Sequence, residues 1–254
     1  MVSTSDRSDH ILRSRIEDTV RLCDKRGVPC FLGFLDLREQ ALAQQVLQAL
    51  HSDSVVSFYG GYPDAERTVL AVSQPHYVAE EGDYPISIVA FEYRAQRRIT
   101  HRDVLGTLIN MGIRREAIGD ILCGEGISVV FVRNEICDFI CEQLDRIGGE
   151  GVSVIPHYDG DLPAQTEYAE MRESIASPRL DSIVKALVHC SREQAAEMIR
   201  FGRVSVNHLP TDVITKTIVE GDTISIRGYG RFHIDQIGPE TKKGRLALFA
   251  RRRT

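Results

Sequence analysis

Residues 84–158 alternate between strand-like and helix-like segments, and this alternation restricts the possible folds more than any other feature of the chain. The strand-like segments are PISIVAFEY, GDILC, GISVVFV and GVSVIP, and the helix-like segments are HRDVLGTLINMG and NEICDFICEQLDRIGG. Gly112 ends the first of these helices. In chain order the segments predict a β-α-β-β-α-β sandwich of helices on a sheet.

The segment before this sandwich predicts a small α/β unit. A first helix is indicated by apolar residues at helical spacing, namely Leu12, Ile16, Val20 and Cys23. Asp36 stands three residues before Glu39, the capping-box relation, and so predicts the start of a second helix over DLREQALAQQVLQAL. The stretch VVSFYGGYPDAERTVLAV then predicts two strands around a Gly-Gly and Pro-Asp turn.

The segment after the sandwich changes character twice. Residues 159–177 are polar and predict a linker, with one helical turn at Tyr168 to Ser174. SPRLDSIVKALVHC then predicts a helix, and Ser191, with Gln194 three residues later, predicts the cap of a second helix that Gly202 ends. Four strands follow as hairpins, the last two joined by a turn at Lys242 to Gly244: RVSVN, DTISIRG, RFHIDQIG and RLALFARRR.

The predicted fold class is therefore α+β with three domains. These are an N-terminal α/β domain (1–83), a middle domain of ferredoxin-like or RNA-recognition-motif type (84–158) and, after the linker (159–177), a C-terminal domain of two helices and β-hairpins (178–254). The middle domain lacks the aromatic residues on which such motifs stack bases, since GISVVFV offers only Phe131. No base stacking is expected there.

Charge is divided unequally between the two ends of the chain. The whole chain has a formal net charge of −5, yet residues 178–254 hold 14 Lys and Arg against 8 Asp and Glu, a net charge of +6. The preceding 177 residues carry a net charge of −11. This pattern is typical of a basic nucleic-acid-binding domain attached to an acidic body, which is itself free to recruit a protein partner.

Arginines flank the two C-terminal helices and suggest a phosphate site. Arg179 precedes the first helix, Arg192 lies in the first turn of the second, and Arg203 follows that helix. A guanidinium group binds phosphate through two parallel hydrogen bonds, and the free main-chain N–H groups of a helix start add partial positive charge. We expect these arginines to lie together on an open face, with the closing run ARRRT adding to it. Ion pairs with Asp181, Glu193 or Glu197 are the alternative.

The same residues resemble the alpha-L RNA-binding motif of a ribosomal protein, many pseudouridine synthases and tyrosyl-tRNA synthetases. The resemblance is carried by Arg179-Leu180-Asp181, Ser191-Arg192, Gly202, Val206-Asn207 and Gly221-Asp222. Three other stretches, GGYPDAER, HRDVLGTLINMGIRREAIGDI and RGYGRF, resemble those of the bacterial YlmH-type RNA-binding proteins. This second resemblance covers nearly the whole chain.

The resemblance implies a protein that binds structured RNA, either ribosomal RNA of the large subunit or ribosome-bound tRNA, in translation or ribosome quality control. Because G-x-S-x-G, Walker and H-E-x-x-H motifs are absent and the alpha-L module comes last, we do not expect an enzyme. The residues expected to contact RNA are Arg179, Lys185, Ser191, Arg192, Arg203, Asn207, Arg227, Tyr229 and Arg231. The alternatives are an RNA-modifying enzyme of the pseudouridine synthase type, and a cell-division or photosystem-related interaction protein.

Other features bear on cofactors and location. The six cysteines are irregularly spaced, with no C-x-x-C pair, so neither zinc nor any other cofactor is expected. No apolar run of about 18 residues or secretory signal is present, so we expect a cytoplasmic protein without a membrane partner.

Overall fold

The computed structural model describes residues 4–50, 53–163, 168–240 and 244–253, and these belong to two units, residues 1–165 and 166–254. Within the described residues, no helix is both long enough and apolar enough to cross a membrane. Mixed helices and antiparallel sheets build both units, which confirms the α+β class.

The first unit begins with helices around a three-stranded antiparallel sheet of order β1-β3-β2. Its elements are α1 (Thr4–Arg26), β1 (Cys30–Leu35), α2 (Leu37–Leu50), β2 (Val55–Tyr59) and β3 (Thr68–Ser73). The four apolar residues that predict α1 are all buried. At the start of α2, the Asp36 carboxylate accepts from the Glu39 N–H at 2.9 Å and the Glu39 carboxylate accepts from the Asp36 N–H at 2.8 Å, so the predicted capping box is confirmed.

The second half of this unit has the predicted β-α-β-β-α-β order. Its elements are β4 (Ile86–Glu92), α3 (His101–Asn110), β5 (Ile118–Cys123), β6 (Ile127–Arg133), α4 (Asn134–Gln143), β7 (Arg146–Ile147), β8 (Glu150–Gly151) and β9 (Ser153–Ile155). The sheet order β5-β6-β4-β9, antiparallel throughout, is that of a ferredoxin-like sandwich. One detail of the prediction is wrong, because α4 ends at Gln143 rather than Gly149. Gly148 and Gly149, at φ of 55° and 85°, form the turn of a β7–β8 hairpin.

Both faces of the four-stranded sheet are covered. Helices α3 and α4 pack on one face, and residues of the N-terminal half pack on the other. Phe131 on β6 is fully buried, with its ring centroid 4.8 Å from that of Tyr62. A Cβ on Gly61, whose φ is +100°, would lie 2.4 Å from the Phe131 ring, so this position requires glycine. Residues 1–83 and 84–158 thus share a core, and a functional division at residue 83 stays a prediction.

A buried network of hydrogen bonds links the two halves of the unit that share this core. The Asp120 carboxylate accepts hydrogen bonds from the Tyr62 hydroxyl at 2.7 Å and from the main-chain N–H groups of Glu66 and Arg67 at 2.7 and 3.1 Å. The Arg67 guanidinium donates to the carbonyls of Phe34 and Ile118, both at 3.0 Å. Burial raises the pKa of Asp120, and the hydrogen bonds from Tyr62 and Arg67 offset that effect only in part. The GGYPDAER stretch therefore has a structural role.

The second unit consists of two helices on a six-stranded sheet of order β10-β15-β14-β13-β11-β12. Its elements are β10 (Tyr168–Ile175), α5 (Leu180–Val188), α6 (Arg192–Arg200), β11 (Val204–Val206), β12 (Leu209–Pro210), β13 (Thr223–Ile226), β14 (Gly230–Glu240) and β15 (Leu246–Arg253). The predicted helices and the strands of the last hairpin are confirmed. The turn predicted at residues 242–244 lies largely outside the described residues.

The helical turn expected at Tyr168 to Ser174 is wrong. These residues belong to β10, which pairs with β15 along its whole length. β10 is one of the two edge strands of the sheet, and within it only Ile175 is fully buried among the described side chains. A strand with one partner and so little buried surface has a polar sequence, which is why it resembles a linker.

Candidate nucleic-acid interface

Two of the expected contact residues, Arg179 and Arg192, share one carboxylate. Asp181 on α5 is buried, and its oxygens accept from Arg179 Nε at 3.1 Å and from Arg192 Nε at 2.7 Å. Burial opposes ionisation of Asp181, but the hydrogen bonds from Arg192 and Arg179 outweigh it and hold its pKa below the ordinary value. The two guanidinium groups therefore leave a net charge of +1. The Arg192 side chain still keeps 61% of its surface exposed and can reach a phosphate.

Lys185 lies beside Arg192 in a groove of about 500 Å³. The groove is also lined by the Ser177 and Ser182 hydroxyl residues and by His189, whose Nε2 lies 3.6 Å from a Glu173 carboxylate oxygen. Arg245 enters the same groove and donates to the Ser174 carbonyl at 2.5 Å. Lys185 is thus an exposed cation, as expected, although the groove around it also contains an acid.

A second cationic cluster lies at the other end of α6. This helix has nine residues, so at about 1.5 Å per residue its ends lie about 12 Å apart. Arg200 ends the helix and Arg203 follows it, and the Arg203 carbonyl accepts from the Arg227 N–H at 2.9 Å. Val204 of β11 pairs with Ile226 of β13, so the turn before β11 and the turn after β13 are neighbours. We call Arg200, Phe201, Arg203, Arg227 and Tyr229 the turn cluster.

The three arginines of the turn cluster differ from Arg179 and Arg192 in their surroundings. All three side chains are exposed, and none forms an ion pair in the part of the chain that the structure describes. Arg192 and Arg203 also lie at opposite ends of α6, so they do not form one continuous row of arginines. The turn cluster therefore holds three exposed arginines without an ion pair among the described residues, and two of its members, Arg200 and Phe201, were not among the expected contact residues.

The side chains of Ser191 and Asn207 form hydrogen bonds within their own unit. The Ser191 hydroxyl accepts from the Gln194 N–H at 3.1 Å, and Gln194 Oε1 accepts from the Ser191 N–H at 2.9 Å, a closed capping box. Asn207 adopts φ of 48°, donates to Asp222 at 2.7 Å and accepts from the Thr223 N–H at 2.9 Å. Both side chains therefore position the helix and the turn that carry the arginines.

The remaining expected residues lie around the turn between β13 and β14. Tyr229 is 42% exposed, and its N–H donates to the Ile226 carbonyl at 2.9 Å. Arg231 pairs with Ser225 across the two strands and is half-buried. Gly228 has φ of +91°, and a Cβ there would meet no atom within 4 Å, so glycine is required by the backbone conformation rather than by space.

Several other arginines, in the closing run and in the first unit, make contacts within their own unit. In the closing run, Arg251 pairs with Asp235 at 2.8 Å and Arg252 lies over the Phe232 ring at 5.9 Å. In the first unit, Arg97 pairs with Glu150 and Arg114 with Glu116. The closing run is therefore part of the β15 strand, and the two first-unit arginines are neutralised by acids of their own unit.

Two family models match this chain. Residues 79–158 match the model described as "Putative RNA-binding domain in YlmH", and residues 178–224 match the S4 domain. The second match covers α5, α6, β11 and β12 and ends just before Arg227. The fold, the exposed cationic turns and these matches define an RNA-binding protein of the S4-domain class.

Known relatives narrow this class. The chain is 33% identical over 215 residues to the ribosome-associated protein quality control protein P2 of Bacillus subtilis (strain 168), covering 83% of this chain and 82% of the relative. The chain therefore belongs to the YlmH family, which confirms the resemblance. The cell division protein ylmH from Streptococcus pneumoniae has a similar fold, with a TM-score of 0.51 and 21% identity, covering 62% of this chain and 94% of that structure.

Proposed function

We propose that this protein binds structured RNA on the ribosome, either large-subunit ribosomal RNA or a ribosome-bound tRNA, and leaves that RNA chemically unchanged. Two comparisons support the proposal. The second unit contains an S4 domain, and the Bacillus subtilis relative is named for ribosome-associated protein quality control. We accordingly propose that the protein acts in ribosome-associated protein quality control.

The observation that carries the proposal is the turn cluster. Arg200, Arg203 and Arg227 project from two adjacent turns with no intramolecular carboxylate partner among the described residues, on a chain whose net charge is −5. Leaving guanidinium groups unpaired side by side does not stabilise the fold, because like charges repel. A phosphate backbone would neutralise them through charge-assisted hydrogen bonds.

Arg192 and Lys185 extend this surface along α6. They lie at the opposite end of that helix from Arg203, about 12 Å away by its length. Arg192 retains free N–H groups after its bond to Asp181, and Lys185 is exposed beside it. Two groups of cations a helix length apart favour a ligand with a regularly charged backbone over a single small anion.

The acidic residues 1–177 have a different proposed role. Their net charge of −11 suits a basic protein partner on the ribosome, and binding of such a partner is compatible with RNA contact by residues 79–158.

Sedimentation of the full-length protein with purified ribosomal components tests the proposed function. We expect it to sediment with large subunits, or with tRNA-bearing ribosomes, at low salt and to be released as monovalent salt rises, because each phosphate contact displaces counterions. Absence from every ribosomal fraction at low salt would contradict the proposal.

The same incubations distinguish a binder from a modifying enzyme. Carbodiimide mapping of the RNA should show no new pseudouridine after exposure to the protein. A new site formed in proportion to protein and time would replace the proposed function with that of an RNA-modifying enzyme.

A further inference from the structure

Phe201 is the most exposed large apolar side chain among the described residues, with 76% of its surface accessible. It caps α6, and its N–H donates to the Glu197 carbonyl at 2.9 Å. An apolar ring in water contributes nothing to the core, and a polar residue would serve the backbone of this turn equally well. The requirements of folding therefore do not explain why position 201 carries an exposed aromatic ring.

The backbone holds Phe201 in a fixed position. The Gly202 N–H donates to the Ile199 carbonyl at 3.0 Å, and the Arg203 N–H donates to the Met198 carbonyl at 2.9 Å. These two bonds, with Gly202 at φ of +64°, are the Schellman motif that ends a helix. The position after this glycine often carries an apolar side chain that packs on the helix, but here it is the exposed Arg203. The motif thus presents a ring and a guanidinium group from one rigid turn.

The side chains around Phe201 indicate what kind of molecule would bind over its ring. Arg200 precedes it in the chain, Arg203 follows two residues later, and Arg227 is hydrogen-bonded to Arg203 through the backbone. Tyr229 adds a second exposed ring in the adjacent turn. A basic or purely apolar partner would desolvate these guanidinium groups without neutralising them. A nucleotide supplies both a flat face for the ring and a phosphate for the cations.

We propose that Phe201 stacks on an unpaired base of the bound RNA, with Arg203 and Arg227 holding the phosphates that flank this base. The inference rests on the proposed function and adds a specificity to it: the preferred RNA has an unpaired nucleotide, in a loop, bulge or end, beside its helical part. Paired bases are stacked on both sides and offer the ring no free face. A regular duplex would engage the arginines only.

Binding of the full-length protein to two RNA probes tests this inference. One probe is a stem-loop with 2-aminopurine at an unpaired position, and the other is a duplex of equal length. We expect Phe201→Ala to weaken binding of the stem-loop about 5- to 150-fold, the range corresponding to ~1–3 kcal/mol for stacking of one base. Duplex binding and the salt dependence should not change. The wild type should quench 2-aminopurine fluorescence, and Phe201→Ala should not.

Phe201→Tyr and Val219→Ala are the matched controls. Tyrosine keeps the ring and should keep both affinity and quenching, whereas Val219 is a 58% exposed apolar residue outside the turn cluster, and its substitution should have no effect. Unchanged stem-loop affinity in Phe201→Ala would overturn the inference and leave an acidic protein as the occupant of the turn cluster. An equal loss on both probes, or a loss in Phe201→Tyr, would also overturn it. If the wild type bound neither probe, the proposed function itself would fail.

Discussion

Replacing Arg203 and Arg227 together by glutamate should weaken RNA binding at least about 100-fold. Each substitution removes a hydrogen-bonded cation, at about 1.5–3 kcal/mol per charged hydrogen bond, and places an anion opposite phosphate. Two such losses together exceed the ~2.7 kcal/mol that corresponds to a 100-fold loss of RNA affinity. Both side chains are exposed and without an intramolecular ion pair among the described residues, so stability should change by no more than about 0.5 kcal/mol.

Arg7→Glu with Arg13→Glu is the control for net charge. Both residues lie on α1 in the first unit, are exposed and form no ion pair among the described residues. This control makes the same change in total charge at a distant place in the chain. RNA affinity measured by fluorescence anisotropy should fall by less than a few-fold in it. Similar losses in the two double variants would mean that binding follows total charge rather than the turn cluster.

Asp120→Ala should have the largest effect on stability, about 3–5 kcal/mol by urea unfolding. The carboxylate accepts hydrogen bonds from the Tyr62 hydroxyl and two main-chain N–H groups, and its removal leaves these three donors without an acceptor. It also removes a negative charge that lies near the half-buried Arg67 guanidinium. Because burial already opposes ionisation of Asp120, the neutral Asp120→Asn, which keeps one acceptor oxygen, should cost distinctly less.

Asp138→Ala is the matched control for this network. Asp138 is an exposed acid on α4, so its removal changes the net charge equally but leaves no buried donor unsatisfied. If Asp120→Ala were no more destabilising than Asp138→Ala, the network would not stabilise the shared core.

Local features of the fold were predictable from sequence. The caps at Asp36 and Ser191 each depend on residues three positions apart, so the sequence alone shows them. The β-α-β-β-α-β order likewise follows from alternating patterns within neighbouring segments. Such predictions succeed where the interacting residues are close in the chain.

Features that depend on distant residues were not predictable. From the sequence, Asp181 was one of three candidate acidic partners, and only the packing of α5 against α6 selects it for Arg192, eleven residues away. The Arg67 N–H likewise meets Asp120 across 53 residues. The sequence could not show which arginines retain free charge. It also could not show that Phe201 is exposed, because a phenylalanine beside an amphipathic helix is normally a core residue. The motif RFGR was the available signal, an aromatic residue between two arginines at a glycine turn.

The salt dependence of RNA binding tests the central claim most directly. We expect the slope of log K against log salt to be shallower by roughly 1.5 in Arg203→Gln with Arg227→Gln than in the wild type, since each lost phosphate contact removes about 0.7–0.9. Arg7→Gln with Arg13→Gln should keep the wild-type slope. A wild-type slope in the Arg203 and Arg227 variant would show that these guanidinium groups do not contact phosphate and would contradict the account.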